Sequence, residues 1–290
     1  MNEVLTAVGT PVVLFGLLSA LSWGAGDFGG GLAGRRGPVP GIVLLTQTTG
    51  MVVAFALFVL RGEAVPGLPD IGWSIATGVA GVIGISALYA GLAAGRMSIV
   101  APVTGVLAAV IPVAAGIVLE GLPGTEVLIG IGLALAAVVL VSRVADEGSG
   151  RSGLRYAIVA GVCLGLFNVL IAQVTAGLVF GPLAILRATQ ALLVIAFILV
   201  ARPAWRLPGS LVPAVLLIGL LDMGGNAFFI AARQSGELAV AATLSSLYPV
   251  TTTILAAVVL RERIGRAHAV GIVAAGIAVA LIAAGAAGSG

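Results

Sequence analysis

Charge is what this chain has least of. Only 9% of its residues are charged, where a soluble domain carries about 25%, so an ordinary water-facing surface is excluded. Lysine is absent altogether: all fourteen basic residues are arginines, scattered through the sequence and mostly in short loops. The net charge of +3 and the pI near 9.7 therefore come without a basic stripe or an aromatic stacking platform, which argues against nucleic-acid binding. Cys163 is the single cysteine, so no intrachain disulfide forms; it sits in an apolar run and reads as a packing residue. His268 is the single histidine, and one histidine with one cysteine cannot build the usual His/Cys metal site. No metal and no cofactor are expected.

What remains is apolar, with 60% hydrophobic residues and a mean hydropathy of +1.23, as in a chain solvated by lipid. A helix needs about 20 apolar residues to cross the hydrocarbon core. By that measure the first half is predicted to hold five spans, Pro11–Leu32, Gly41–Leu60, Ile71–Ala94, Met97–Leu119 and Glu126–Ser142. The second half holds five more, Tyr156–Val179, Pro182–Val200, Leu211–Ala232, Leu238–Leu260 and Ala267–Ala287. The N-terminal segment has Glu3 and no basic residue ahead of an apolar run that reaches Leu32, so it reads as a first transmembrane helix and not as a cleaved signal. One sizeable polar stretch, Arg143–Arg155, joins the halves. The expected organisation is a first repeat over 1–145, a linker over 146–155 and a second repeat over 156–290, with no soluble domain.

The halves match one another at a constant offset of 141 residues. Gly24 falls on Gly165, Asp27 on Asn168, Thr48 on Thr189, Gly78 on Gly219 and Gly84 on Gly225. With five crossings per half, the second half must enter the bilayer inverted, and inverted repeats are characteristic of secondary transporters. Arginine placement agrees. Loops after odd-numbered spans hold eleven arginines, from Arg35 and Arg36 to Arg266, and loops after even-numbered spans hold only Arg61 and Arg233. The positive-inside rule puts the odd loops in the cytoplasm and both termini outside. The expected fold is an all-α membrane protein of ten transmembrane helices arranged as two inverted five-helix repeats. Gly26, Gly30 and Gly34, four apart, mark a face for close helix packing.

Polar groups within the spans are the candidates for function, because an ionisable residue there costs several kcal/mol. Asp222 falls near the middle of the eighth span, and Asn226 lies four residues on, on the same helical face. Asp27 is the second intramembrane acid; its repeat partner Asn168 keeps a polar group at the equivalent place, so the two would sit symmetrically about a central axis. Arg187 is expected to snorkel to the headgroups, with pairing to one of the acids as the alternative. Pro102 and Pro112 in the fourth span and Pro249 in the ninth are expected to interrupt corresponding helices. Around them Thr104, Thr243, Ser245, Ser246 and Tyr248 offer hydroxyls either for a polar solute or for helix–helix bonds. Thr46, Gln47, Thr48 and Gln190 could extend that lining, and Tyr89 and Phe228 could stack on a solute.

These residues resemble the drug/metabolite transporter superfamily, specifically its EamA-type ten-helix permeases. The resemblance is carried by Trp23-Gly24, by Pro182-Leu183-Ala184-Ile185-Leu186-Arg187, and by Ser245-Ser246-Leu247-Tyr248-Pro249 through Leu260-Arg261-Glu262-Arg263. A last span with Gly271-Ile272 and Gly276-Ile277 completes it, and nearly the whole chain is covered. It implies two five-helix bundles around a central cavity in the cytoplasmic membrane, and alternating-access movement of a small metabolite, with protons as a candidate coupling ion. The first repeat departs from the pattern in lacking a proline equivalent to Pro249, and in having Gly121-Leu122-Pro123 where a basic loop is common. Relatives also tend to keep their termini in the cytoplasm, against the arginine distribution here. A rival reading comes from Gly24-Ala25-Gly26-Asp27, which matches the Gly-x-Gly-Asp of intramembrane aspartyl proteases, with Asp222 as second acid. Those enzymes need a Tyr-Asp acid on a preceding span, and Asp27 lies on the first. A receptor or structural membrane protein is the remaining alternative.

Overall fold

In a computed structural model, residues 2–93, 97–142, 154–259 and 266–288 are described. Their regular structure is all helical, with no strand among them. The first half comprises α1 (Asn2–Gly34), α2 (Val39–Arg61), α3 (Leu68–Ala93), α4 (Met97–Glu120) and α5 (Thr125–Ser142). The second comprises α6 (Leu154–Ile171), α7 (Phe180–Ala201), α8 (Val212–Gln234), α9 (Leu238–Ser245), α10 (Tyr248–Val259) and α11 (Arg266–Gly288). Five described helical stretches of 22–26 residues are long and apolar enough to span a membrane. The other apolar helical stretches are shorter among the described residues. Most of the expected linker, residues 143–153, lies outside the described residues, as do Arg96, Arg143, Arg151, Arg261 and Arg263.

The helices start and stop where backbone chemistry requires. Pro at the start of α2 and α8 removes an N–H that the first turn cannot use. Gly62 closes α2 in the left-handed conformation, its N–H reaching back to the last-turn carbonyls. The expected sixth span is shorter than its apolar run, since α6 stops at Ile171 and residues 172–179 form turns. Those turns are held by groups that a helix could not satisfy. Asp70 accepts from the Thr175 N–H (2.9 Å) and hydroxyl, Gln234 donates to the Leu178 carbonyl (2.8 Å), and Gly177 has a φ of 90°.

Of the two expected interruptions, one forms. The ninth span is split into α9 and α10 by a turn at Ser246 and Leu247. Pro249 lacks the N–H that would continue the ladder to Ser245, so it sits in the first turn of the new helix. The fourth span is continuous through Pro102 and Pro112. A single missing ladder bond is tolerated where the turns on either side are packed by neighbouring helices, and Pro112 is buried.

The packing scheme maps onto itself when the halves are exchanged. α1 packs on α8 as α6 packs on α3, and α1 meets α9 and α10 as α6 meets α4. The helices α2 with α7, and α5 with α11, pair across the pseudo-twofold axis. Glycines record this symmetry atom by atom. A Cβ on Gly24 would come within 2.6 Å of the Tyr248 carbonyl oxygen, and one on Gly165 within 3.1 Å of the Leu107 carbonyl oxygen. Gly84 lies against Leu164 and Gly225 against Trp23, again equivalent pairs. In lipid, where helices gain little from hydrophobic association, such close approach supplies the van der Waals contact that holds a bundle.

The two faces of the bundle are tied differently. At the ends of α2, α4 and α8, the Glu63 carboxylate accepts the Val179, Phe180 and Gly181 N–H groups at 2.8–3.0 Å, capping α7. Glu120 accepts the Leu238 N–H (2.8 Å) and pairs with Arg233 (2.6 Å). The opposite face carries Arg35, Arg36, Arg202 and Arg206, and there Gly41 packs directly on the Trp205 carbonyl.

Candidate functional site

Between the halves lies a cavity walled by residues of α1, α2, α3, α4, α6, α7, α8 and α10. Its polar groups are Asp27, Gln47, Asn168, Arg187, Gln190, Asp222, Asn226 and Tyr248; Trp23, Ile85, Leu88, Leu164 and Phe167 supply much of its apolar wall. Most of these residues sit near the middle of their helices, at the depth where unpaired polar groups are most costly.

Arg187 organises the polar side. It does not snorkel: its side chain is 1% exposed, so the headgroup reading gives way to pairing. The reason is local. α7 points the residue inward, beside α2, and Gly50 on α2 leaves the space that its guanidinium fills. Nη1 donates to Asp222 Oδ2 at 2.6 Å and also to Gln47 Oε1. The two remaining nitrogens, Nε and Nη2, are buried with no partner among the described residues. Each buried donor left unmade costs about 1–3 kcal/mol, and more on a charged group.

The other acid is placed differently. α1 packs on α8 beside Asp222, and Asp27 lines the same cavity. Among the described residues Asp27 has no hydrogen-bond or ion-pair partner. Its repeat mate Asn168 lines the cavity too, with Oδ1 buried and unpartnered, as is Oε1 of Gln190. Gln190 owes its position to Gly81, where any side chain would collide with the amide. Asn226 is engaged, accepting from Trp23 Nε1 at 2.9 Å.

The structure does not bring every sequence candidate to this place. Among the hydroxyls, Tyr248 lines the cavity, whereas Thr104 donates to the Ala157 carbonyl (3.2 Å) and Ser246 to the Ala242 carbonyl (2.6 Å). Ser245 reaches toward the Gly16 carbonyl at 3.5 Å. A hydroxyl in an apolar interior takes the nearest carbonyl, often one turn back in its own helix; Thr46 and Thr48 do the same. Neither Phe228, which stacks on Phe15, nor Tyr89, which packs at Gly30, is part of the cavity lining. Pro112 does not line the cavity, and the side chains of Pro102 and Pro249 lie outside the described residues. Sequence reasoning passed over Trp23 as a wall residue and ranked Gln47 low. Nothing in the sequence shows that Gln47 and Arg187, 140 residues apart, share a bond.

Comparison with known proteins agrees with this architecture. A model of the EamA-like transporter family matches the chain twice, over residues 10–143 and 151–284. The chain belongs to the EamA-like transporter family. The two matches of this EamA-like chain start 141 residues apart, at the offset seen in the sequence. No curated protein matches it. One solved structure, described as "Crystal structure of protein", shares the fold with a TM-score of 0.72 at 21% identity, covering 93% of this chain and 96% of that one. The chain is thus a multi-pass membrane protein of a transporter family, built as two five-helix repeats.

In this EamA-like protein the chemistry of the cavity is unequally shared. Asp27 and Asn168 are repeat mates, but Arg187, Gln190, Asp222 and Asn226 all come from the second half. Breaking a buried ion pair by removing one partner costs about 3–5 kcal/mol, because it strands the other charge. Asp222→Asn is therefore expected to lower the unfolding midpoint of the purified protein markedly. The double variant Arg187→Gln/Asp222→Asn is expected to recover much of the loss. Equal midpoints for Asp222→Asn and the native chain would contradict the pairing.

Proposed function

We propose that the chain is a secondary active transporter that carries a small polar or amphipathic metabolite through the central cavity by alternating access across the cytoplasmic membrane. Amino-acid-like solutes are a candidate class, and protons are the candidate coupling ion. The observation that carries the reading is the cavity itself: it lies between inverted halves and holds two acids and one arginine, and of the two acids only Asp222 is paired among the described residues. Inverted repeats place their solute site at mid-membrane, between the halves. An acid without a counter-ion at that depth is the group best suited to gain and lose a proton as the cavity changes sides, which makes Asp27 the coupling candidate.

The aspartyl protease reading has one observation in its favour, since Asp27 and Asp222 share the cavity. It fails on chemistry. A protease dyad shares one proton between two like carboxylates, whereas Asp222 is held by an arginine at 2.6 Å. The family assignment points away from an enzyme as well.

Two measurements follow. In proteoliposomes, an imposed proton gradient is expected to accelerate solute uptake by the native protein. Asp27→Asn is expected to abolish that acceleration while leaving solute exchange without a gradient. Uptake indifferent to the gradient would remove proton coupling. For orientation, the arginine-rich face is proposed to be cytoplasmic. A C-terminal alkaline phosphatase fusion is then expected to be active and a C-terminal GFP fusion dark; the reverse result would place the termini inside.

A further inference from the structure

We propose that Glu120 latches the cavity shut on the arginine-poor face, so that the resting protein is closed on that side and opens there only when this carboxylate releases α8 and α9. Such a latch rests on the transport reading above and gives that mechanism its resting state.

Packing divides the helices that flank the cavity into two groups. α3 and α4 pack on α6, while α8, α9 and α10 pack on α1. Each group takes helices from both repeats, and residues of both line the cavity. Toward the arginine-poor face the groups close on one another. A Cβ on Gly116 of α4 would lie 2.7 Å from the Ala239 nitrogen and 3.2 Å from its Cα, so α4 and α9 meet there backbone to backbone. Val113 of α4, Val174 and Leu178 after α6, and Leu238 and Ala239 of α9 belong to one buried apolar cluster. Ala108 of α4 lines the cavity, with Gly116 and then Glu120 beyond it on the same helix. At a rise of about 1.5 Å per residue, the backbone contact lies about 12 Å past the cavity wall and Glu120 about 18 Å past it.

Two polar ties lie beyond this seal, and each runs from one group to the other. Glu120, at the end of α4, uses both carboxylate oxygens: Oε1 pairs with Arg233 Nη2 at 2.6 Å, and Oε2 accepts the Leu238 N–H at 2.8 Å. The second bond caps α9, whose own N-cap residue makes no side-chain bond. Gln234, at the end of α8, accepts the Gly177 N–H at 3.2 Å and donates to the Leu178 carbonyl at 2.8 Å, in the turns after α6. Opening this mouth draws the groups apart here and has to break these bonds. The opposite mouth cannot be held in the same way. At the 141-residue offset Glu120 corresponds to Arg261, Arg233 to Leu92 and Gln234 to Ala93. Two halves of like packing weight the two end states alike, so a tie present at one mouth alone shifts the population toward the state closed there. Glu120 carries most of that shift, because its bonds are charge-assisted and those of Gln234 are neutral.

The test uses the full chain carrying Cys163→Ala and Ile85→Cys, which puts one thiol in the cavity wall. A membrane-impermeant thiol reagent is applied to oriented vesicles from one side at a time, the Glu120 side being fixed by the fusion test above. Glu120→Ala and Arg233→Ala, each added to this background, are expected to raise the labelling rate from the Glu120 side about threefold or more and to lower the rate from the arginine-rich side. The charge swap Glu120→Arg/Arg233→Glu is expected to bring both rates back toward those of the background chain. Unchanged rates, equal rises from both sides as in a loosened bundle, or a swap that labels like Glu120→Ala would overturn the latch. If Glu120→Ala does not fold, the isosteric Glu120→Gln decides by the same criteria. Failure of transport reads differently. Labelling from one side only, in the background chain and in every variant, would remove alternating access and the latch with it. Labelling from both sides in a ratio that Glu120→Ala leaves unmoved removes the latch and leaves transport standing.

Discussion

A guanidinium at mid-membrane constrains everything around it. It cannot be left unpaired, because the cost of an isolated cation in low dielectric exceeds the net stability of most domains, and Arg187 is enclosed by protein. Arg187 is therefore met by a carboxylate from α8 and an amide from α2, and α2 must carry a glycine where the guanidinium lies flat. Three helices from both repeats are fixed by one side chain. The same constraint leaves part of the fork unused, so the centre of the molecule is both its most tightly specified point and its least satisfied one.

Around that point the two halves supply a symmetric frame and an asymmetric chemistry. The frame is built from equivalent contacts, Gly24 on Tyr248 with Gly165 on Leu107, and Gly84 on Leu164 with Gly225 on Trp23. A frame that superposes on itself after inversion can present the same cavity to either side with little change in internal packing. The chemistry breaks that symmetry. Asp222 corresponds to Gly81, and that glycine is what makes room for Gln190. The faces differ as well: carboxylates tie helix ends on one, through Glu63, Asp70 and Glu120, whereas backbone packing at Gly41 joins the other.

The sequence made the frame legible because its causes are repetitive. Apolar runs of spanning length, an offset held over many residues and an arginine bias are each summed over the whole chain, and local exceptions do not disturb them. The break at Ser246 and Leu247 was readable because Pro249 removes a specific N–H. Continuity through Pro102 and Pro112 was not, since it depends on neighbours that brace the helix. Hydropathy overextended the sixth span, because the residues after Ile171 are apolar but are held in turns by Asp70 and Gln234 from other helices. At the site, Asp27, Asn168, Asp222 and Asn226 were visible as polar groups in apolar runs, and the structure places all four in the lining of one cavity. Which acid holds the arginine was not visible, for Arg187, Asp222 and Gln47 meet only through the tertiary fold. Hydroxyls misled in the other direction: Thr104 and Ser246 look like solute ligands in sequence, yet a carbonyl within reach claims each of them.

The central claim is that this cavity opens in turn to the two sides of the membrane. Ile85 lines it and takes no part in its polar network. With Cys163 replaced by alanine and Ile85 by cysteine, labelling by a membrane-impermeant thiol reagent can be followed separately from each side of oriented vesicles. The account predicts labelling from both sides. Labelling confined to one side under all conditions would contradict it.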